Sequence, residues 1–494
     1  MWKTRFVAGE SAMFAIVIGW WIANGSYALP MITVGVGLGA CLVALLGLSF
    51  DTIVLGGLLV GYIAGNRGFA QISLMPGLPL LPAESGLALC ILWLIVRSAH
   101  TKEVPLRRNA LNIAVLLWLV IGGARIIPDI RARGVMAVRD FAMIYYALFF
   151  FVAQDVCANP RARQFLGRCL LIATLALLPL SELFRRFPDF FLNRLTIGGT
   201  PIIYFKGDLV ATFIAAGALL TFERYRQSHR VVWLLLVLLG MLAVLASESR
   251  AALVGLGVAT MWLVLGGRRK MLWLQLGSLA LVGLGMMGGF VTGHFTSRDT
   301  AAYRVYERVL SIADVGGQRV YDSAEVEFKG DNNRFRLVWW RAVIEETVDG
   351  DPWLGLGFGY DLAAEFLHRY YPDNSEDFST RSPHSILITA FGRMGVIGLL
   401  TLLAIVASLA RETHRALLRA TSQEDPVTYW LVGWVIFISA CFGVVLEGPM
   451  GAVVFWTVLG MASAASAPAA ATEETAPALV ENGIHEGATA LVPS

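Results

Sequence analysis

Residues 231–291 read VVWLLLVLLGMLAVLA (231–246), SESR (247–250), AALVGLGVATMWLVL (251–265), GGRRK (266–270) and MLWLQLGSLALVGLGMMGGFV (271–291). Three apolar runs are broken only by two short polar groups. A helix of roughly 20 apolar residues crosses the ~30 Å hydrocarbon core of a bilayer. The same alternation extends outward in both directions. Candidate spans lie near 11–24, 28–48, 51–65, 82–97, 109–123, 138–154, 166–181, 208–222, 230–246, 250–266, 271–290, 384–409, 427–446 and 450–464. The first three can merge or re-enter, so the expected fold is all-α and polytopic, with 12–14 transmembrane helices. Composition agrees: 56% of the 494 residues are hydrophobic and 15% are charged, against about 25% charged in soluble domains. Mean hydropathy is +0.65. A soluble hydrolase, a nucleic-acid-binding module and a secreted disulfide scaffold are all disfavoured.

Arginine and lysine in the short loops give the expected sidedness. Lys102, Arg107 and Arg108; Arg161, Arg163 and Arg168; Arg224, Arg226 and Arg230; Arg268, Arg269 and Lys270; and Arg411, Arg415 and Arg419 all fall on one face if the spans alternate. That face is read as cytoplasmic, with Lys3, Arg5 and both termini on it. The apolar run from Ala12 to Ala23 is read as an uncleaved first span. Arg125, Arg131, Arg133 and Arg139, with Arg185, Arg186 and Arg194, break the rule by falling on the opposite face. One reading is a miscounted span; the sharper one is an anionic ligand on that face. The segment 291–383 carries 10 Arg/Lys and 16 Asp/Glu within a chain of net charge +3. An acidic outer loop over a basic remainder suits a bacterial inner-membrane protein with one large periplasmic loop. The expected organisation is membrane helices over 1–204 and 205–290, the loop over 291–383, further membrane helices over 384–464 and a disordered cytoplasmic tail over 465–494.

Within the loop, Arg334 to Val348 predicts an amphipathic helix capped by Asp331, Asn332 or Asn333, with Trp339 and Trp340 on its apolar side. Gly350-Asp351-Pro352 stops it, and the string LGLGFG (354–359) predicts a turn rather than a dinucleotide loop. Cys41, Cys90, Cys157, Cys169 and Cys441 have no CxxC spacing and read as buried thiols. Asp349-Gly350-Asp351 reads as a turn. There is no HExxH and no phosphate-binding GxxxxGK segment, so neither a metal nor a nucleotide cofactor is expected.

Three sets of residues can carry chemistry. His384, where the loop re-enters the membrane, offers a group that moves protons near neutrality, although a lone histidine at a membrane edge is more often structural. Arg250 opens a span on the loop side and can hold phosphate bidentately or snorkel to headgroups. Arg131, Arg133, Arg139, Arg194 and Lys206, with Asp208, lie at outer boundaries. Ordinary headgroup contacts explain any one of them; several converging suit a lipid-linked diphosphate.

Ser249-Arg250-Ala251-Ala252-Leu253, the Arg/Trp helix from Arg336 followed by Pro352-Trp353-Leu354-Gly355-Leu356-Gly357-Phe358-Gly359, and His384-Ser385 with Gly395-Val396-Ile397-Gly398 after nine residues occur in that order. Together they resemble the O-antigen ligase and O-antigen polymerase superfamily, over roughly 205–446. One departure is Leu253, which stands one place before the slot that Val254 fills.

The resemblance implies an inner-membrane glycosyltransferase of the GT-C type. The donor is a glycan on undecaprenyl diphosphate, and the acceptor is lipid A-core or a second lipid-linked glycan. His384 and Arg250 are the implied catalytic pair. Arg133, Arg139, Arg194 and Lys206 bind substrate, and Arg336 and Arg341 hold sugars. The implied reaction is inverting and needs no metal. The acceptor separates a ligase, the favoured reading, from a polymerase and from a protein O-oligosaccharyltransferase. Beyond the enzymes, a secondary transporter is the competing class; it predicts paired interrupted spans and mid-membrane charges.

Overall fold

A computed structural model describes residues 47–73, 81–102, 107–247, 249–291, 324–370, 381–419 and 426–466, with a few isolated positions elsewhere. The expected spans 11–24 and 28–48, Cys41, most of 292–323, 371–380 and the tail from 467 lie outside the described residues. The described chain is predominantly helical. In order it forms α1 (Phe50–Ala70), α2 (Pro82–Thr101), α3 (Ala110–Arg133), α4 (Val135–Val156, in three pieces) and α5 (Pro160–Arg186). A hairpin of β1 (Thr196–Ile197) and β2 (Thr200–Pro201) follows, paired Thr196 to Pro201 and Ile197 to Thr200. Then come α6 (Gly207–Ser228), α7 (Val231–Ala246), α8 (Arg250–Leu265), α9 (Lys270–Val291), α10 (Ala324–Gly350), α11 (Ala364–Tyr370), α12 (Ile386–Arg419), α13 (Val427–Ala440) and α14 (Pro449–Ala465).

Six of these, α1 to α5 and α12, are long and apolar enough to cross a membrane, and α7, α8, α9, α13 and α14 are shorter apolar helices. This is the architecture of a multi-pass membrane protein. A helix that is apolar all round must be buried all round. Accordingly α6 is buried without a gap from Leu209 to Glu223, and α14 from Gly451 to Ala464. The outer helices instead expose Leu92, Ile113, Leu235 and Leu281, an apolar band that a bilayer covers and water would not tolerate. Small residues let helices touch. A Cβ on Gly460 of α14 would stand 2.4 Å from the carbonyl oxygen of Phe150 in α4.

Contacts between helix ends bring four of the five basic turns to one end of the described bundle. Gly266, after α8, lies against Leu417 near the end of α12. Trp434 of α13 donates to Thr413 Oγ1 of α12 (3.0 Å), and Arg107 donates to the carbonyl of Ser463 in α14 (3.2 Å). Gly167 of α5 abuts the Tyr429 hydroxyl of α13. At the other end Thr212 of α6 donates to Ser439 Oγ (2.8 Å), near the end of α13. These four turns therefore share one end of the bundle, and the starts of α6, α8 and α12 share the other.

Two expectations are corrected. The loop helix starts at Ala324, so Asp331, Asn332 and Asn333 lie inside it rather than capping it. Its first turns lack the apolar spacing that marks a helix in sequence. The span expected over 427–446 stops at Ala440, and residues 441–448 form a non-helical segment before Pro449 opens α14. Residues 441–446 stay apolar, so composition does not mark the point where the helix stops.

Candidate functional site

His384 stands just before α12 with φ 56°, a left-handed conformation that a side chain adopts only under constraint. The constraints are visible. Trp340 of α10 donates from Nε1 to the carbonyl of Pro383 (2.6 Å). Arg381 donates to the carbonyl of Gly359 (2.8 Å). The His384 ring meets Trp339 edge-on, with centroids 5.8 Å apart. Trp339 is fully buried, stacked on Phe366 and donating to the carbonyl of Leu362 (2.8 Å). The loop tryptophans thus brace the histidine; Trp339 presents no free stacking face.

Two cations share this corner. Arg336 lies one helical turn before Trp339 and donates to the carbonyl of Phe442 (2.9 Å). Lys206, at the start of α6, donates from Nζ to the carbonyl of Val444 (3.5 Å). The non-helical segment 441–448 therefore gathers both, which is why the end of α13 matters. Burial, then the charges of Arg336 and Lys206, push the His384 imidazole down to about 4. It is neutral at pH 7, the form that accepts a proton. Burial also pushes Lys206 and Arg336 down, with Asp208 acting in the opposite sense on both.

Glu447, which the sequence reading passed over, accepts from Thr389 Oγ1 (2.9 Å), and burial raises its carboxyl above the usual range. An acid between two apolar runs was the available signal. Arg250 is the first residue of α8, behind Ser249, whose Oγ accepts from the N–H of Ala252 (3.3 Å). This capped helix start lies at the same end of the bundle as His384 and favours anions.

The remaining expected residues are placed differently. The LGLGFG turn docks on α12. Leu356 N–H donates to the carbonyl of Gly392 (2.7 Å) and Val396 N–H to that of Pro352 (2.8 Å). Gly355, Gly357 and Gly359 have positive φ, and Asp351 caps the turn by accepting from the N–H groups of Trp353 and Leu354 (both 3.0 Å). The arginines that break the sidedness rule are explained in part by this turn. Arg125 donates to the carbonyls of Leu354 (3.0 Å) and Gly355 (3.2 Å), and Arg133 to that of Phe358 (3.3 Å), while Asp129 pairs with both arginines. Arg133 also lies over the Tyr360 ring. Beneath, Arg393 pairs with Asp140 (2.8 Å), both nearly buried. Arg139 is exposed. Arg194 lines a cavity of about 550 Å³ with Asp189, Phe190 and Asn193. Arg341 is exposed and paired with Glu345 (2.7 Å). The structure thus brings His384, Arg336 and Lys206 together, sets Arg250 at the same end, and engages Arg133 in the turn.

Gly395 shows why a glycine follows the histidine at this spacing. It has φ 62°, and a Cβ there would stand 2.3 Å from the carbonyl carbon of Trp353. Gly395→Ala should displace the turn and lower the unfolding temperature of the purified protein. An unchanged melting curve would show that the turn is not held here.

Residues 233–403 match the O-antigen ligase family profile. The match runs from α7 into α12 and includes Arg250, Arg336 and His384. It supports the broader O-antigen ligase and polymerase superfamily and, in general terms, a glycan-joining enzyme that handles lipid-linked glycans. No curated protein matched the chain.

Proposed function

We propose that this chain is an O-antigen ligase-like glycosyltransferase of the bacterial inner membrane. It moves a glycan from undecaprenyl diphosphate to a hydroxyl of lipid A-core on the periplasmic side. The observation that carries this reading is the placement of the His384 imidazole, braced against Trp339 beside Arg336 and Lys206 at the helix-start end of the bundle. Segment 291–383 is taken as the periplasmic loop.

His384 takes the proton of the acceptor hydroxyl. The acceptor oxygen bonds to the anomeric carbon opposite the diphosphate, the bond from that carbon to the phosphate oxygen breaks, and its electron pair leaves with undecaprenyl diphosphate. The configuration inverts. Arg250, Arg336 and Lys206 face the charge that grows on the leaving diphosphate, where fixed cations lower the barrier. The donor bond supplies the energy, so neither a metal nor a nucleotide is called for.

The test is a deletion strain complemented with wild type or His384→Ala, in which surface glycan lengths and the lipid-linked pool are profiled together. Lipid A-core bare of glycan, with long chains accumulated on the carrier, supports the ligase. Single repeats on lipid A-core with the long chains gone would make the chain a polymerase. Normal glycans in the His384→Ala strain would sink the catalytic reading.

A further inference from the structure

The last turns of α1 depart from a regular α-helix. A π-helical turn at Gly61–Gly65 delivers Asn66 with φ 54° and ψ −125°, strained for any residue with a Cβ. Asn66 is fully buried. Its Oδ1 accepts from the backbone N–H groups of Arg67 (3.0 Å) and Lys206 (2.9 Å), while its Nδ2 is buried without a hydrogen-bond partner among the described residues. The surrounding backbone is stitched to the start of α6. Gly68 N–H donates to the carbonyl of Tyr204 (3.1 Å), and Tyr204 N–H to that of Gly65 (3.2 Å). A Cβ on Gly68 would stand 2.5 Å from the carbonyl oxygen of Pro201, so the contact admits only glycine. The exposed Arg67 guanidinium lies 5.3 Å from the centre of the Tyr204 ring and within electrostatic reach of Lys206.

These residues extend the cationic site in a definite order. His384 meets Trp339, one turn from Arg336. Arg336 and Lys206 hold the carbonyls of Phe442 and Val444, two residues apart. Arg67 follows Lys206 on the scaffold that Asn66 organises. Asp208 and Glu447 offset part of the charge on Lys206, and Asp208 part of that on Arg336, but three cations on a rigid frame keep a positive surplus that attracts a further anion. Asn66 adds an unspent donor beside them. Asn66, Arg67 and Lys206 lie outside the segment 233–403 that matches the family profile.

We propose that Asn66, Arg67 and Lys206 form a subsite for the second phosphate of an isoprenoid diphosphate, the one remote from the transferred sugar. This rests on the donor class proposed above. Arg336 and Arg250 then serve the phosphate that carries the sugar, next to His384. The amino-terminal half thereby contributes to donor recognition and distinguishes a diphosphate from a monophosphate.

The test uses the full chain in nanodiscs of zwitterionic lipid, with undecaprenyl diphosphate and undecaprenyl monophosphate as probes. Arg67→Ala should weaken diphosphate binding about tenfold, the scale of one charge-assisted contact, and leave monophosphate binding unchanged. Arg67→Lys should restore most of the loss. Asn66→Gly, which keeps the positive φ and removes the amide, should weaken the diphosphate alone. Equal losses for both probes, or no loss, would overturn the subsite. So would competition by phosphatidylglycerol as strong as by the diphosphate, which would assign these residues to lipid headgroups. Wild type that binds neither probe would sink the donor class itself, whereas wild type that binds the diphosphate no better than Arg67→Ala would sink only the subsite.

Discussion

His384→Ala should lower the rate of glycan transfer by about 10²–10⁴-fold, the usual contribution of a positioned general base, without lowering the amount of protein in the membrane. The size follows from placement: the imidazole is braced by Trp339 and by the Trp340 bond to Pro383, which hold the base in one position. The pH dependence adds a sharper criterion. His384 works as a base only when neutral, and its folded value is pushed from 6.5 to about 4 by burial and by Arg336 and Lys206. The acid limb of kcat/KM, which reports the free enzyme, should therefore lie near 4 rather than 6.5. Bound diphosphate offsets the two cations, so the limb of kcat should lie at higher pH than that of kcat/KM. The same depression has a stability consequence. Between about 6.5 and 4 the unfolded chain takes a proton that the folded site refuses, so stability falls as pH drops through that window. His384→Ala should flatten that fall. A free-enzyme limb at 6.5 that persists in His384→Ala would rule out the imidazole as its source.

Asp140→Ala should destabilise the protein by about 3–5 kcal/mol, the cost of leaving one member of a buried ion pair unpaired. Arg393 is nearly inaccessible, and Asp140 is its ion-pair partner at 2.8 Å. Asp140 also accepts from the N–H of Gly359 (2.9 Å), and Gly359 is the residue whose carbonyl Arg381 holds. The loss should therefore reach His384 by way of the turn, lowering transfer as well as unfolding temperature. Asp140→Ala combined with Arg393→Met removes both charges and should recover much of the stability. A single variant as stable as wild type would show that the pair does not hold the turn. The two predictions separate chemistry from support: His384→Ala loses activity in a stable protein, and Asp140→Ala loses both.

The sequence by itself determined that the chain is predominantly helical and multi-pass. The hydrocarbon core demands a long apolar run for each crossing. The glycine turn at 354–359, the stop at Gly350 and the burial of Trp339 were equally legible, because each rests on neighbouring residues. The loop helix was read too short at its start, since its first turns are polar and carry no apolar spacing. The end of α13 was read too late, since 441–446 remains apolar after the helix stops. Only the tertiary structure decided which charges meet. Asn66, Lys206, Arg336, His384 and Glu447 come from five distant parts of the chain, joined by carbonyls at 442 and 444 and by hydroxyls such as that of Thr389. No local pattern encodes such a meeting. It arises because packed helix ends leave polar groups that must find partners across the bundle, and the partners they find set the charge around the histidine.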